Sequence, residues 1–289
     1  MLKLASVNKK TMNLYNEIAF RTSRLITRRY STSFSIAVSF LPPDMRRAIY
    51  SIYAFVRFAD EIVDTFTTEN REFLLMNFER DYNEVLENNI SMNPVLHSFA
   101  LTVKQYNIPL HLVESFLKSM KYDLSKNKYY NMKELDEYIY GSADVVGLMC
   151  LKVFVNGNEK LYYELEKPAM KLGSAFQKVN FLRDIKADTE LLNRTYFPEF
   201  DADTFDESAK FKLIENIEKD FSEAREGIKR LPGKTKLAVL IAFVYYRHLL
   251  KKLTEARASE IMNKRIRLAG YLKTLLFAKA FLKYRLNRI

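Results

Sequence analysis

Residues that favour turns are scarce in this chain, which contains only seven glycines and seven prolines among 289 residues. A fold with many β-turns needs more of both, because glycine and proline fit the backbone angles of tight turns. Apolar residues recur with helical periodicity over most of the chain, interrupted by short proline-containing breaks at residues 41–44 and 231–233. The sequence therefore predicts one all-α domain spanning residues 1–289, with about eight to ten helices.

The composition is that of a globular protein with a large core, since 48% of the residues are hydrophobic and 28% are charged. A single cysteine, Cys150, excludes an intramolecular disulfide and fits a reducing compartment. The first 15 residues lack the apolar segment of a secretory signal, and the longest apolar run, 237–246, is shorter than the roughly 20 residues of a spanning helix. We expect a cytoplasmic protein that does not cross a membrane.

Positive charge is concentrated at the end of the chain. The net charge is +11, and residues 264–289 contain eight Lys and Arg but no Asp or Glu. Leucines recur at near-helical spacing through the same segment, as in basic amphipathic helices that contact a membrane surface, a nucleic acid or a partner helix. Residues 264–289 are thus a candidate for peripheral attachment to the inner face of a membrane. A terminal helix with a solvated basic face is an equal alternative.

Helix boundaries are clearest in the first quarter of the chain. A first helix is predicted over residues 13–30, and Pro43 and Asp44 open a second that runs to Asp64. Between them, residues 31–40 alternate between apolar and polar side chains, so a strand is an alternative there.

The helix that ends at Asp64 carries a polar stripe on an otherwise apolar surface. Tyr53, Arg57, Asp60 and Asp64 follow one another at spacings of four, three and four, which places them on one helical face. Burying an ion without a partner costs roughly several kcal/mol of desolvation free energy, so a ligand or a cation is expected beside this stripe.

A second stripe repeats the arrangement. Gln177, Asn180, Asp184 and Asp188 follow at spacings of three, four and four, with Arg183 beside the first aspartate. Amide and carboxylate oxygens suit Mg²⁺, which keeps several waters and is completed by phosphate groups. A buried polar network or a salt bridge between the stripes is the structural alternative, but two matched stripes favour a metal and diphosphate site.

Other motifs carry less weight. The sequence has no Glu-x-x-His pair, which argues against a di-iron bundle. It also has no Gly-rich phosphate loop of the dinucleotide or P-loop type. Small residues at 141–143 and at Gly147 indicate a helix break or a close helix crossing.

These motifs, in this order, resemble the squalene/phytoene synthases, which join two prenyl diphosphates head to head. The similarity covers roughly residues 20–270. It rests on segments 53–64 (YAFVRFADEIVD), 177–188 (QKVNFLRDIKAD) and 194–198 (RTYFP), together with Ser33-Phe34, residues 138–147, Tyr246-Arg247 and Arg265.

The resemblance implies an isoprenoid (terpenoid) synthase helical bundle around a central cavity, with prenyl diphosphates as substrates and no nucleic-acid partner. It implies Mg²⁺, or alternatively Mn²⁺, as the cofactor. Metal ligands would be Asp60, Asp64, Asn180, Asp184 and Asp188. Diphosphate ligands would be Ser33, Arg57, Gln177, Asn180, Arg183 and Arg265, and Tyr53, Tyr138 and Tyr246 would lie near the reacting carbons.

By resemblance, the most similar members are bacterial phytoene synthases, which condense two geranylgeranyl diphosphates through a cyclopropylcarbinyl diphosphate during carotenoid biosynthesis. One alternative is the formation of squalene or dehydrosqualene from two farnesyl diphosphates, where only squalene formation needs NADPH. Chain elongation or terpene cyclisation is another, and a non-catalytic assembly factor is a third. Two residues depart from the family pattern. Ala187 stands where an acidic residue is usual, and Asp144 where glycine is frequent.

Overall fold

The computed structural model describes residues 2–66, 70–198 and 205–286. These residues form thirteen α-helices and one short π-helix, and they include no β-strand. The all-α prediction is therefore confirmed. The predicted helix number is too low, because short breaks divide several stretches whose apolar periodicity is continuous.

The chain divides into two compact units, Met1–Pro109 and Leu110–Ile289. The helices of the first unit are α1 (Leu2–Tyr30), α2 (Thr32–Ser39), α3 (Pro43–Asp64), α4 (Arg71–Asn88) and α5 (Pro94–Gln105). Those of the second are α6 (Leu110–Ser125), α7 (Met132–Ile139), the π-helix (Tyr140–Asp144), α8 (Val145–Val155), α9 (Glu159–Leu192), α10 (Glu207–Arg230), α11 (Gly233–Glu255), α12 (Ala258–Asn263) and α13 (Gly270–Arg285).

In the first unit, α1 packs against α3 and α5. The predicted limits of α3 are confirmed, with Pro43 at its start. The strand alternative for residues 31–40 is wrong, since this segment forms α2. Its first turn is capped by Ser31, whose side chain accepts a hydrogen bond from the backbone N–H of Phe34. Alternation over so few apolar residues does not distinguish a strand from a buried helix.

In the second unit, the 34-residue helix α9 packs against α8, α10 and the π-helix. The break and the close crossing expected near residue 141 both occur. A methyl group on Gly141 would lie 2.8 Å from the backbone oxygen of Ser115, and one on Gly173 would lie 2.8 Å from that of Ala143. Cys150 is half-buried in α8.

One helical stretch, Met132–Val155, is long and apolar enough to cross a membrane by length and composition, and 61% of its most apolar window is buried inside the molecule. Core helices of globular proteins have the same properties. The sequence pattern, in which 237–246 is the longest apolar run, did not single out this stretch.

Candidate active site

The predicted stripe on α3 carries one tight ion pair. Arg57 donates to the carboxylate of Glu61, one turn further along the helix, and its guanidinium lies 4.5 Å from the ring centre of Tyr30. Burial lowers the pKa of Arg57, but the hydrogen bond to Glu61 and the charge of Asp60 more than offset it, so the pKa is raised. Asp60 is half-buried and Asp64 is exposed. Glu61 was not predicted as part of the site, although its four-residue spacing from Arg57 is the signal for such a pair.

Aromatic stacking connects α2 to the same stripe. The rings of Phe34 and Tyr53 stack with centroids 5.0 Å apart and planes 26° from parallel. Ser33, next to Phe34 on α2, is half-buried. The sequence motif Ser33-Phe34 thus lies beside the Tyr53 end of the α3 stripe.

In the second unit, Asp184 on α9 is held by two arginines. Arg183 donates from Nε to Oδ1 of Asp184 at 3.0 Å, and Nε of Arg265 forms an ion pair with the same oxygen at 2.7 Å. Arg265 Nη2 also reaches the other carboxylate oxygen at 3.2 Å. Burial lowers the pKa of Arg183, but its contact with Asp184 more than offsets this and raises it. The structure therefore brings together two residues that are 81 positions apart in the chain.

One turn before Asp184, Asn180 accepts a hydrogen bond from the hydroxyl of Tyr246 at 3.3 Å. The Tyr246 ring stacks on Phe176, with centroids 4.0 Å apart. Burial raises the pKa of Tyr246 above its usual value. Gln177 is half-buried on the same helix.

Asp188, at the far end of the α9 stripe, borders a small cavity of about 30 Å³. Its backbone oxygen accepts from the backbone N–H of Arg194, and Asn193 ends the helix with a φ of 51°. The lining of the cavity is Phe181, Ile185, Asp188, Thr189, Arg194, Thr195, Tyr196, Phe197, Phe205 and Met262. Asp188 therefore borders a mostly apolar recess built chiefly from α9 and the segment after it.

Tyr138 belongs to a different cluster, buried in the second unit. Its hydroxyl donates to both carboxylate oxygens of Asp123, at 2.8 and 2.9 Å, and Arg194 donates to the backbone oxygen of Asp123 at 2.8 Å. Tyr196 stacks on Phe181 at 3.8 Å. Burial raises the pKa of Tyr138 well above its usual range. Asp123 was not among the predicted site residues, because no local spacing links it to Tyr138 or to Arg194.

Asp144, which stands where the family frequently has glycine, ends the π-helix and is buried. It accepts a hydrogen bond from the hydroxyl of Ser174 at 2.8 Å. Burial raises its pKa to about 7, against the opposing effect of Ser174, Lys171 and Lys178. Close by, both lysines contact Asp220, at 3.0 and 2.7 Å.

Within the described parts of the chain, no three His, Cys, Asp or Glu side chains lie close enough together to hold a metal ion. The predicted carboxylates are divided between the units: Asp60 and Asp64 belong to the first, and Asp184 and Asp188 to the second. Each unit by itself presents a pair of aspartates one turn apart. The metal prediction stays a prediction.

Comparison with known proteins agrees with these motifs. The chain is 26% identical to a phytoene synthase of Arthrospira platensis, over 92% of this chain and 94% of that protein. It is 27% identical to a 15-cis-phytoene synthase of Synechocystis, over 92% of this chain and 86% of that protein.

Solved structures show the same fold. A dehydrosqualene synthase superposes with a TM-score of 0.82 at 23% identity, covering 93% of this chain and 98% of its own. A squalene synthase from Alicyclobacillus acidocaldarius gives 0.73 at 21% identity, covering 84% and 95%. The predicted isoprenoid synthase fold is confirmed. The sequence pattern of the squalene/phytoene synthases matches residues 27–271, so this chain belongs to the squalene/phytoene synthase family.

Proposed function

We propose that this protein is a prenyltransferase that condenses two geranylgeranyl diphosphates head to head to phytoene, through a cyclopropylcarbinyl diphosphate. The observation that carries the diphosphate chemistry is the convergence of Arg183 and Arg265 on Asp184. A diphosphate bound with a metal ion needs cationic groups for its own oxygens and oxygen ligands for the metal. The two guanidinium groups supply the first, and the neighbouring carboxylate and amide oxygens supply the second. Phytoene is favoured over other products because the similar curated proteins named above are phytoene synthases.

The donor atoms on α9 fit a divalent cation such as Mg²⁺ or Mn²⁺. Asn180, Asp184 and Asp188 offer hard oxygens on successive turns of one helix, and a Mg²⁺ site with few protein ligands is completed by water and phosphate. Bound there, the cation would stabilise the negative charge of the leaving diphosphate. We assign the same role to Asp60 and Asp64 in the first unit.

The arginines compete with such a cation for Asp184, because both bind the same carboxylate oxygens. We infer that an arriving diphosphate draws Arg183 and Arg265 away from Asp184, since its oxygens carry more negative charge than one carboxylate. Arg57 can also bind the diphosphate. Its Nε is buried and has no hydrogen-bond partner among the described residues, which leaves a donor for a diphosphate oxygen.

Aromatic rings next to the polar stripes suit the carbocation that forms when the first diphosphate leaves. Phe34 stacks on Tyr53 in the first unit, and Phe176 stacks on Tyr246 in the second. The faces of aromatic rings attract cations without reacting with them. An apolar surrounding also keeps water away until the cation meets the double bond of the second substrate.

A second candidate is dehydrosqualene or squalene synthesis from two farnesyl diphosphates, with NADPH as a reductant for squalene alone. It is favoured by the superposition on a dehydrosqualene synthase. A non-catalytic assembly factor is disfavoured by the complete set of aspartates in both motifs, which such a protein need not keep.

The test is a product assay with the purified full-length protein and Mg²⁺. Farnesyl or geranylgeranyl diphosphate is supplied with and without NADPH, and the extracted hydrocarbons are identified by mass spectrometry. We expect a C40 hydrocarbon from geranylgeranyl diphosphate, without a need for NADPH. A C30 product from farnesyl diphosphate alone would establish the second candidate, and no hydrocarbon under any combination would overturn both.

A further inference from the structure

Helix α13, Gly270–Arg285, is apolar on two opposite sides. Leu276 and Ala280 are buried, on the side where α13 packs against α11. On the other side large apolar side chains are exposed to solvent. The exposed fractions are 70% for Tyr271, 60% for Leu275, 59% for Leu282 and 62% for Leu286. Contact with the rest of the unit therefore covers only part of the apolar surface of this helix.

The exposed residues form a single stripe. Tyr271, Leu275, Leu282 and Leu286 are separated by four, seven and four positions, and residues at these spacings share one helical face. Phe281, 44% exposed, lies at its margin. Single exposed apolar side chains are ordinary, but a continuous apolar stripe on a protein surface marks a contact site. We call this set the α13 stripe.

Positive charge borders the α13 stripe. Lys279 and Arg285 are exposed and fall on either side of it by helical geometry. Lys283 is half-buried behind it. Burial lowers the pKa of Lys283, as do the neighbouring charges of Lys279, Arg225 and Arg247. No acidic residue occurs from position 264 to the end of the sequence. A surface that complements the α13 stripe carries negative charge around an apolar contact.

We propose that the α13 stripe docks on an anionic lipid surface, with the apolar side chains in the headgroup boundary and Lys279 and Arg285 on the phosphates. A second copy of the chain would bring like charges together, which is unfavourable. A helix of 16 residues is roughly 24 Å long, shorter than the roughly 30 Å hydrocarbon core, so it suits a position in the plane of the surface.

This surface also fits the proposed function, because a C30 or C40 hydrocarbon has to leave for an apolar phase. That link rests on the proposed function, whereas the docking itself follows from the exposed side chains and their charges alone.

The experiment is flotation of the full-length protein with vesicles of phosphatidylcholine, alone or mixed with phosphatidylglycerol. We expect binding only to the mixed vesicles, weakening as salt is added. Leu275→Ser with Leu282→Ser should weaken it by about tenfold or more, because two apolar side chains no longer enter the lipid. Lys279→Gln with Arg285→Gln should weaken it by about tenfold.

Matched controls distinguish binding through the α13 stripe from nonspecific binding through exposed apolar or cationic residues elsewhere. Phe73→Ser with Met76→Ser removes an apolar pair on α4 that is 63% and 59% exposed, and Lys212→Gln with Lys219→Gln removes two exposed lysines of α10. Both should bind as the unchanged protein does. Circular dichroism verifies that every variant is folded.

Absence of binding to the mixed vesicles, or equal weakening by the controls, would overturn the proposal. So would a change from dimer to monomer in the Leu275→Ser/Leu282→Ser variant on sedimentation, which would assign the stripe to a second copy. Flotation does not require turnover, so it can succeed or fail independently of the product assay.

Discussion

Asp144 shows how a single buried carboxyl can couple stability to pH. The residue is 6% exposed, and among the described residues its side chain accepts a hydrogen bond only from Ser174. The groups that act on its charge are Asp220, Lys171 and Lys178, and Tyr140 lies near enough to be affected in turn. Burial outweighs the lysines, and the pKa rises from 3.8 to about 7.

The direction of the pH effect follows from this rise. Between pH 3.8 and about 7 the folded protein holds the proton while the unfolded chain has lost it. Stability then decreases as pH rises through this range, by roughly 4 kcal/mol in total from this group. Above it both states are ionised and the loss is complete.

We predict that Asp144→Asn removes the loss of stability that the ionisation of Asp144 causes as pH rises. The variant should melt at a higher temperature than the unchanged protein at about pH 8, and the difference should shrink toward about pH 5. Thermal unfolding of both proteins over that range provides the measurement. Parallel pH profiles for the two proteins would show that Asp144 does not titrate in this way.

At the scale of single residues, the sequence is informative where spacing along one helix decides which side chains share a face. The stripe from Asn180 to Asp188 and the position of Arg183 follow from spacing, and Arg265 was implied by the resemblance to the family. The contact between Tyr138 and Asp123 could not be predicted, because it depends on how α6 and α7 pack rather than on a local pattern.

At the scale of elements, the π-helix and α9 approach each other because Gly173 has no side chain. A methyl group there would lie 2.8 Å from the backbone oxygen of Ala143 and 3.0 Å from Cα of Asp144. Backbone atoms cannot move aside as a flexible side chain can. The sequence indicated the small residues at 141–143, but their partner on α9 is visible only in the packed structure.

We predict that Gly173→Ala lowers the free energy of unfolding by about 1–3 kcal/mol, the usual effect of overpacking. Denaturant titration gives this value. Gly270→Ala is the matched control, because nothing lies within 4 Å of the added methyl group at the start of α13. The hypothesis of a tight crossing would be refuted by similar stabilities for the two variants.

At the scale of the whole molecule, the two compact units each supply one aspartate pair. Asp60 lies on α3 in the first unit, and Asp184 lies on α9 in the second. Sequence patterns gave the all-α class and both pairs, since each pair is a local feature. They did not give the division at Pro109, which arises from contacts between residues far apart in the chain. The single-domain prediction stays a prediction.

We predict that Asp60→Ala and Asp184→Ala each reduce turnover by at least about a hundredfold, although they change different units. Helix content by circular dichroism should remain unchanged. Glu84→Ala and Glu190→Ala, at exposed positions on α4 and α9, serve as controls and should retain activity. Unfolding of either aspartate variant would instead support a structural role for that carboxylate.

The cluster around Tyr138 has an optical consequence. The chain has 18 tyrosines and no tryptophan, so its near-ultraviolet absorbance comes chiefly from phenol rings. The rings of Tyr129 and Tyr196 lie 5.0 and 5.6 Å from that of Tyr138. Burial raises the pKa of all three, which keeps these phenols neutral in alkaline solution while exposed phenols ionise. The last increase in phenolate absorbance during an alkaline titration therefore reports the exposure of this cluster to solvent. Ultraviolet absorbance alone can thus follow the unfolding of this part of the protein.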